Sequence, residues 1–293
     1  MLLLWILLVV GSLAWLMLWS TFRNIKPIEH FTPGASHLIV IMHGFHSTPG
    51  ESRWIAPQIL KNNKNVSILR TAVTRNENQN KNWWWQNYAC TQDGTEVSAE
   101  RCLAQIHSFV KLHNGSLRKI SFIGQSLGGL YGKHLVKEVR TCLDLAHLEP
   151  GVFITLASPN LGCRQHLMKW YGWIPYFLSK YCWGKTGLEL MEHDDFLANH
   201  AHSHMNALSH FKKICYLAPG CGDIHVPLIS SLAIFENGMS DWQKTIITRC
   251  PGSRYKINNG HFLIAHSCVA AGLPCFAAGQ ETLRIILTEI SLL

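Results

Sequence analysis

The sequence predicts an α/β fold around a mostly parallel, doubly wound sheet, and three observations carry that expectation. Short, uninterrupted apolar runs recur at His37–Met42, Val66–Thr71, Ile120–Ile123, Val152–Leu156 and Ile214–Leu217, as fits strands buried on both faces. Segments of helical spacing separate them, the alternation that builds parallel sheets. The third run leads directly into Gly124-Gln125-Ser126-Leu127-Gly128, where flanking glycines let the backbone bend sharply from strand to helix and hold a serine hydroxyl outward. Ligands of such sheets sit at the carboxyl ends of the strands.

In chain order, Met1 to Phe22 carries no charge, and Leu2 to Trp19 is apolar apart from Gly11 and Ser12, close to the ~20 residues that cross a bilayer. A cleaved leader would begin with a basic region, which is missing, so residues 1–22 are expected to form a transmembrane helix that anchors the chain. Arg23 and Lys26 follow it, and the positive-inside tendency then places the body in the cytosol. Residues 23–36, with Pro27, Pro33 and Gly34, read as a linker. With 47% hydrophobic residues, residues 37–293 can bury one core and are expected to form a single catalytic domain. Helices are expected over Val97 to His113, Leu127 to Arg140 and Glu281 to Leu293. Within 164–212, the stretch Gln165 to Trp183 mixes aromatics with lysines, as a lid or interfacial segment would, or as an ordinary insertion with aromatics in the core. Trp83-Trp84-Trp85 is expected to have at least one indole packed inward, since three neighbours cannot share a direction; the other reading is a lining of the acyl pocket.

The formal charge of +8 is scattered and accompanied by no nucleic-acid motif, so no nucleic-acid partner is expected. A basic surface beside a membrane favours anionic headgroups. The turn lacks the Lys-Ser/Thr ending of a phosphate loop, which argues against nucleotide binding. Ten cysteines without a C-x-x-C pair read as free buried thiols, while the sequons Asn65-Val66-Ser67 and Asn114-Gly115-Ser116 point instead toward a lumenal body. His200, His202, His204 and His210 have i, i+4 spacing on a helix, but no nearby cysteine or glutamate completes a zinc pattern. They read as a solvated polar stretch, and neither metal nor organic cofactor is expected.

A serine hydroxyl is a weak nucleophile near neutral pH and needs a histidine base, an acid to orient it and amide donors for the oxyanion. His43-Gly44-Phe45 follows the first apolar run, and the amides of Phe45 and Leu127 are the expected donors. Asp223 follows the last run across a Gly-rich bend and is the expected acid, although Gly222-Asp223 would also suit an Asx-turn. Asp194, Asp195 and Asp241 are its rivals. Among seventeen histidines, His261 in Asn259-Gly260-His261-Phe262 keeps the order Ser, Asp, His and is the expected base, with His266 five residues on as competitor.

Several blocks occur in one order: LIVIMHGFHSTPGE, TQDGTEVSAERCLAQI, ISFIGQSLGGL, FITLASPNLGC, KTGLELMEHDD, GDIHVPLISS and GHFLIAH. From about His37 to His266 the chain thereby resembles the family of α/β hydrolases described as putative serine esterases, which includes the fungal Rog1-type lipases. The resemblance implies an α/β-hydrolase fold and a lipase or esterase with Ser126, Asp223 and His261 as triad. Two positions depart from the family pattern: Gln125 and Asn160 stand where histidine is common, and neither carries a proton transfer. The expected activity is hydrolysis of lipid carboxylic esters, glycerolipids or lysophospholipids, by a membrane-bound serine hydrolase. The alternatives are an acyltransferase or thioesterase on the same triad, and a membrane scaffold that keeps the fold without catalysis.

Overall fold

The computed structural model describes residues 26–73, 89–113, 115–193, 195–220, 222–249, 251–258, 265–274 and 276–292, without the side chains of 165, 166, 170 and 171. The segment 1–22, the Trp83–Trp85 run and His261 lie outside the described residues. Among those described, no helix is long and apolar enough to cross a membrane.

Described strands are β1 (Ile28–His30), β2 (His37–Met42), β3 (Val66–Thr71), β4 (Lys119–Gln125), β5 (Glu149–Leu156), β6 (Lys213–Pro219) and β7 (Ser253–Ile257). They form one sheet in the order β1-β3-β2-β4-β5-β6-β7. Only β1 is antiparallel to its neighbour, Ile28 opposing Arg70. The helices are α1 (Ile55–Asn62), α2 (Thr95–Leu112), α3 (Gly128–Thr141), α4 (Arg164–Tyr171), α5 (Ile174–Tyr181), α6 (Gly184–Leu190), α7 (Phe196–Leu208), α8 (Leu228–Leu232), α9 (Asp241–Arg249), α10 (Ala265–Ala270) and α11 (Ala277–Ser291).

Strand β2 explains why its sequence is apolar throughout. Successive side chains point to opposite faces, so Leu38, Val40 and Met42 enter one core with Ile106, Leu130 and Leu135 of α2 and α3. Ile39 and Ile41 enter the other with Ile55 and Ile59 of α1 and Ile286 of α11. Helices on both faces leave no polar side to alternate with. The chain steps from β2 outward to β3, then returns to lay β4 on the other side of β2. That reversal is a topological switch point, where strand ends open a crevice. In register, Met42 pairs with Gly124 and Gln125 with Leu156, so the loops after β2, β4 and β5 leave the sheet side by side.

The five strands expected from apolar runs are β2 to β6. The segment 23–36 is not wholly linker, because β1 lies within it; three residues are too few to show periodicity. Strand β7 also carried no signal: at a sheet edge, Ser253 and Tyr255 are only partly buried and Arg254 and Lys256 are exposed. Between β5 and β6 the chain inserts α4 to α7. Glu189 of α6 ties this insertion to the body by accepting from the Thr95 amide (2.8 Å) and hydroxyl (2.6 Å) at the start of α2. A carboxylate there meets the positive end of the helix dipole and satisfies an amide with no intrahelical partner. Alongside it the Gly94 amide donates to the Thr186 hydroxyl, which donates to the Thr91 carbonyl.

Candidate active site

Ser126 occupies the bend between β4 and α3 with φ +51°, a left-handed conformation that a non-glycine residue holds only when its surroundings impose it. They do so by backbone contact. The Ser126 amide donates to the Leu156 carbonyl at 2.8 Å. A Cβ at Gly128 would lie 2.3 Å from the Met42 carbonyl oxygen, so only glycine lets α3 start this close to β2. A Cβ at Gly44 would lie 2.8 Å from the Ser126 Cβ, so the turn carrying His43-Gly44-Phe45 rests directly on the nucleophile. Leu127 opens α3 and is buried; Phe45 stacks on His46 with ring centroids 3.6 Å apart. The His43 ring is buried, and its Nδ1–H donates to the Gly44 carbonyl at 3.0 Å. Burial pushes its pKa down to about 4, against the weaker effect of that carbonyl, so His43 is neutral and serves as a support of the turn.

The Ser126 hydroxyl donates to Nε2 of His266 at 3.0 Å, and Nδ1–H of His266 donates to Asp223 Oδ2 at 2.8 Å. This chain selects the tautomer with its proton on Nδ1, leaving Nε2 as the acceptor a base requires. Asp223 Oδ1 accepts from the amides of His225 (2.9 Å) and Val226 (3.0 Å). Asp223 is thus in an Asx-turn and beside the histidine at once: the turn fixes one oxygen and thereby aims the other at His266. The position between serine and aspartate, expected for His261, is held by His266. Chain order could not separate the two; what selects His266 is that α10 begins at Ala265 and packs against β6, the strand that delivers Asp223.

Gln125, one of the two departures from the family pattern, has a packing role here. Fully buried, its Nε2 donates to the carbonyl of Ala270, the last residue of α10, at 2.5 Å. The residue beside the nucleophile thereby clamps the helix that carries the base. Asn160, the other departure, donates to the Ser231 carbonyl (2.8 Å) and Thr155 hydroxyl (3.3 Å), joining the end of β5 to α8. Sequence reading gave neither residue a role, because the bonds to Ala270 and Ser231 cross large separations in the chain.

For His266, burial works against the charged ring, but the Asp223 charge and its hydrogen bond, with a further contribution from Glu51, raise its pKa above the ordinary 6.5. For Asp223, burial works against the charged carboxylate and is outweighed by His266 and the two amides, so its pKa lies below the ordinary 3.8. The signs give a pH prediction. His266 must be neutral to accept the serine proton, so the acid limb of kcat/KM is expected above pH 6.5 rather than below it. Stability runs oppositely: the contribution of the raised histidine is full below about 6.5 and is lost as pH rises through its folded value. That of the depressed Asp223 is present above 3.8 and is lost as pH falls through its folded value. Rates on a soluble ester and melting curves over one pH series check both; an acid limb below 6.5 would contradict the assignment.

Asp223, His225 and His266 offer ligand atoms within 4.8 Å of one another, as a metal site would. Both oxygens of Asp223 and both ring nitrogens of His266 are already engaged in hydrogen bonds, and that pattern fits proton transfer rather than a ligand set. The α7 histidines are not a uniformly solvated stretch: His204 is buried, 3.3 Å from Nδ1 of His134 through its Nε2, and burial pushes its pKa down to about 2. Cys102, Cys163 and Cys215 are buried thiols whose pKa burial pushes up to about 12, far from the reactive range. Beside the acid, Leu161, Cys163, Arg164, Glu192, Ile229 and Met239 line a cleft of about 320 Å³.

The sequence profile of the family described as putative serine esterase (DUF676) matches residues 32–234. The chain belongs to that family. It is 32% identical over 192 residues to the putative lipase ROG1 of Saccharomyces cerevisiae, covering 64% of this chain and 25% of that protein. To the putative lipase YDL109C of the same yeast it is 28% identical over 215 residues, covering 68% and 30%. This serine esterase domain therefore spans less than a third of the length of the curated relatives it matches. In fold, it is similar to a structure reported for LipS and LipT, metagenome-derived lipolytic enzymes (TM-score 0.54, 10% identity, 92% of this chain and 99% of that one). It is likewise similar to a dienelactone hydrolase of Anabaena variabilis (TM-score 0.51, 12% identity, 90% of each chain). At such identities the likeness is one of fold, and the fold is that of α/β hydrolases.

Proposed function

We propose that this chain is a membrane-anchored serine lipase or esterase that hydrolyses carboxylic esters of lipids through an acyl-enzyme. The observation that carries the reading is the hydrogen-bonded sequence Ser126, His266, Asp223 at the carboxyl edge of the sheet. Ser126 Oγ attacks the ester carbonyl while His266 Nε2 takes its proton, and Asp223 stabilises the resulting imidazolium. The amides of Phe45 and Leu127 receive the oxyanion. His266 then protonates the leaving alcohol, and water, deprotonated by the same ring, releases the acid.

The lipid class of the ester rests on the family, on the apolar run of residues 1–22 and on the aromatic segment that follows β5. The same features support a single-pass anchor, with the body on the cytosolic side set by Arg23 and Lys26. The test is covalent labelling of the membrane-bound chain with a fluorophosphonate, native against Ser126→Ala. Labelling is expected of the native chain and lost in the variant. A folded native chain that stays unlabelled in detergent would refute the hydrolase reading and favour a scaffold; acyl transfer to added alcohol in preference to water would favour the acyltransferase.

A further inference from the structure

Helix α5 is inverted relative to a helix on a water-facing surface. The side chains it turns toward the protein are Pro175 and Ser179, both buried, with the Ser179 hydroxyl bonded to the Tyr176 carbonyl and paired with His193. The side chains it turns outward are large and apolar: Trp173 just before it is 69% exposed, Ile174 52%, Phe177 49% and Tyr181 65%. Trp173, Phe177 and Tyr181 recur every fourth residue and share a face, with ring centroids 6.0 and 4.7 Å apart. Met168 of α4 is exposed as well, and Gly172, with φ +63°, turns α4 into α5. A surface helix ordinarily turns its apolar stripe to the core, and a contiguous exposed apolar patch marks a surface with a partner.

Charge identifies the partner. Arg164, Lys169 and Lys180 lie in this segment, and no aspartate or glutamate occurs between 164 and 185; Lys185 just beyond it pairs with Glu96 of the body at 3.7 Å. The Lys180 ammonium stands 5.6 Å from the Tyr181 ring centroid. Two copies of this face would repel one another, and lysine is depleted in protein interfaces. Trp and Tyr bracketed by lysines are instead the composition of a helix lying at a membrane surface, with rings among the headgroups and ammonium groups on anionic lipid. We propose that the α4–α5 hairpin docks on an anionic bilayer, placing Trp173, Phe177 and Tyr181 in the headgroup region independently of residues 1–22. The hairpin leads into α6 past Trp183, whose ring meets that of Phe45 edge-on at 6.1 Å, so a docked hairpin lies beside the mouth of the esterase site. The docking itself does not depend on the esterase reading.

Cys182 closes α5 and is exposed, which puts a labelling site at the hairpin. The full chain, carrying an environment-sensitive fluorophore at Cys182 with Cys182→Ser as blank, is reconstituted in vesicles of phosphatidylcholine alone or mixed with phosphatidylserine. Blue-shifted emission, quenched by spin-labelled lipid, is expected in the anionic vesicles and much less in the neutral ones. Lys169→Ala and Lys180→Ala are each expected to lower the inserted fraction roughly fivefold at limiting phosphatidylserine, and Trp173→Ser with Phe177→Ser to abolish insertion. A fluorophore that stays in water on both vesicles while the chain sediments with them overturns the proposal. So does a blue shift that follows protein concentration without lipid, which marks a second copy. Fluorophosphonate labelling of Ser126 in the same samples separates the two readings: insertion without labelling counts against the esterase, and labelling without insertion counts against the docking surface.

Discussion

Alanine at His266 is expected to lower kcat/KM on a soluble ester about as far as alanine at Ser126, on the order of 10⁶-fold. The reason is geometric: Nε2 is the acceptor 3.0 Å from the nucleophile, and its partner nitrogen is held by Asp223. Removing either member of a unit removes the same proton transfer, so the double variant should be little worse than each single one. The rate that survives comes from the oxyanion donors and binding. His261→Ala is the paired control. It should label with fluorophosphonate as the native chain does, since the base position is already filled. Near-native activity in His266→Ala, with circular dichroism unchanged, would return the role to His261.

Asparagine at Asp223 is expected to cost about 10⁴-fold in kcat. The side-chain oxygen that accepts from the His225 and Val226 amides can stay in place, so the amide nitrogen replaces Oδ2 opposite His266. Two donors then face one another, and the ring relieves this by moving its proton to Nε2, where it can no longer accept from Ser126. A second readout distinguishes this from simple loss of structure. Asparagine also removes the charge that raises the His266 pKa, so the residual activity should have its acid limb at lower pH than the native enzyme. A variant with reduced rate and an unmoved acid limb would mean that Asp223 does not face the base.

Much of this arrangement was legible from residue order. The apolar runs gave β2 to β6 because burial on both faces of a parallel sheet leaves a continuous signal. Gly-x-Ser-x-Gly gave the elbow because its glycines are required by contacts with Met42 and Gly129 that leave no room for a Cβ. Asp223 could be found because it follows β6 across a Gly-rich bend, on the same carboxyl edge of the sheet as Ser126. The base was harder. His261 and His266 both satisfy chain order, and the choice depends on where α10 starts and how it packs on β6, a tertiary fact with no local signature. Strands β1 and β7 escaped for a related reason: at the sheet's edges, short or half-polar segments pair by backbone hydrogen bonds that any side chains permit. The outward aromatics of α5 could be seen as aromatic but not as outward, since 3.6-residue spacing gives the stripe without giving its direction.

The parts of the site are held by unequal means, and this sets an order of failure. Ser126 stands where main chain touches main chain, at Gly128 against Met42 and at the Leu156 carbonyl, so it can move only if the centre of the sheet moves. His266 rides on the short helix α10, tied back through Gln125 to Ala270. A short helix joined to the sheet by side-chain contacts opens before the central strands do, even where, as in α10, most of it is buried. Warming or mild denaturant should therefore silence the enzyme while its sheet is still intact, and cooling should restore it without refolding: a reversible pause whose weakest link is the proton acceptor, not the nucleophile.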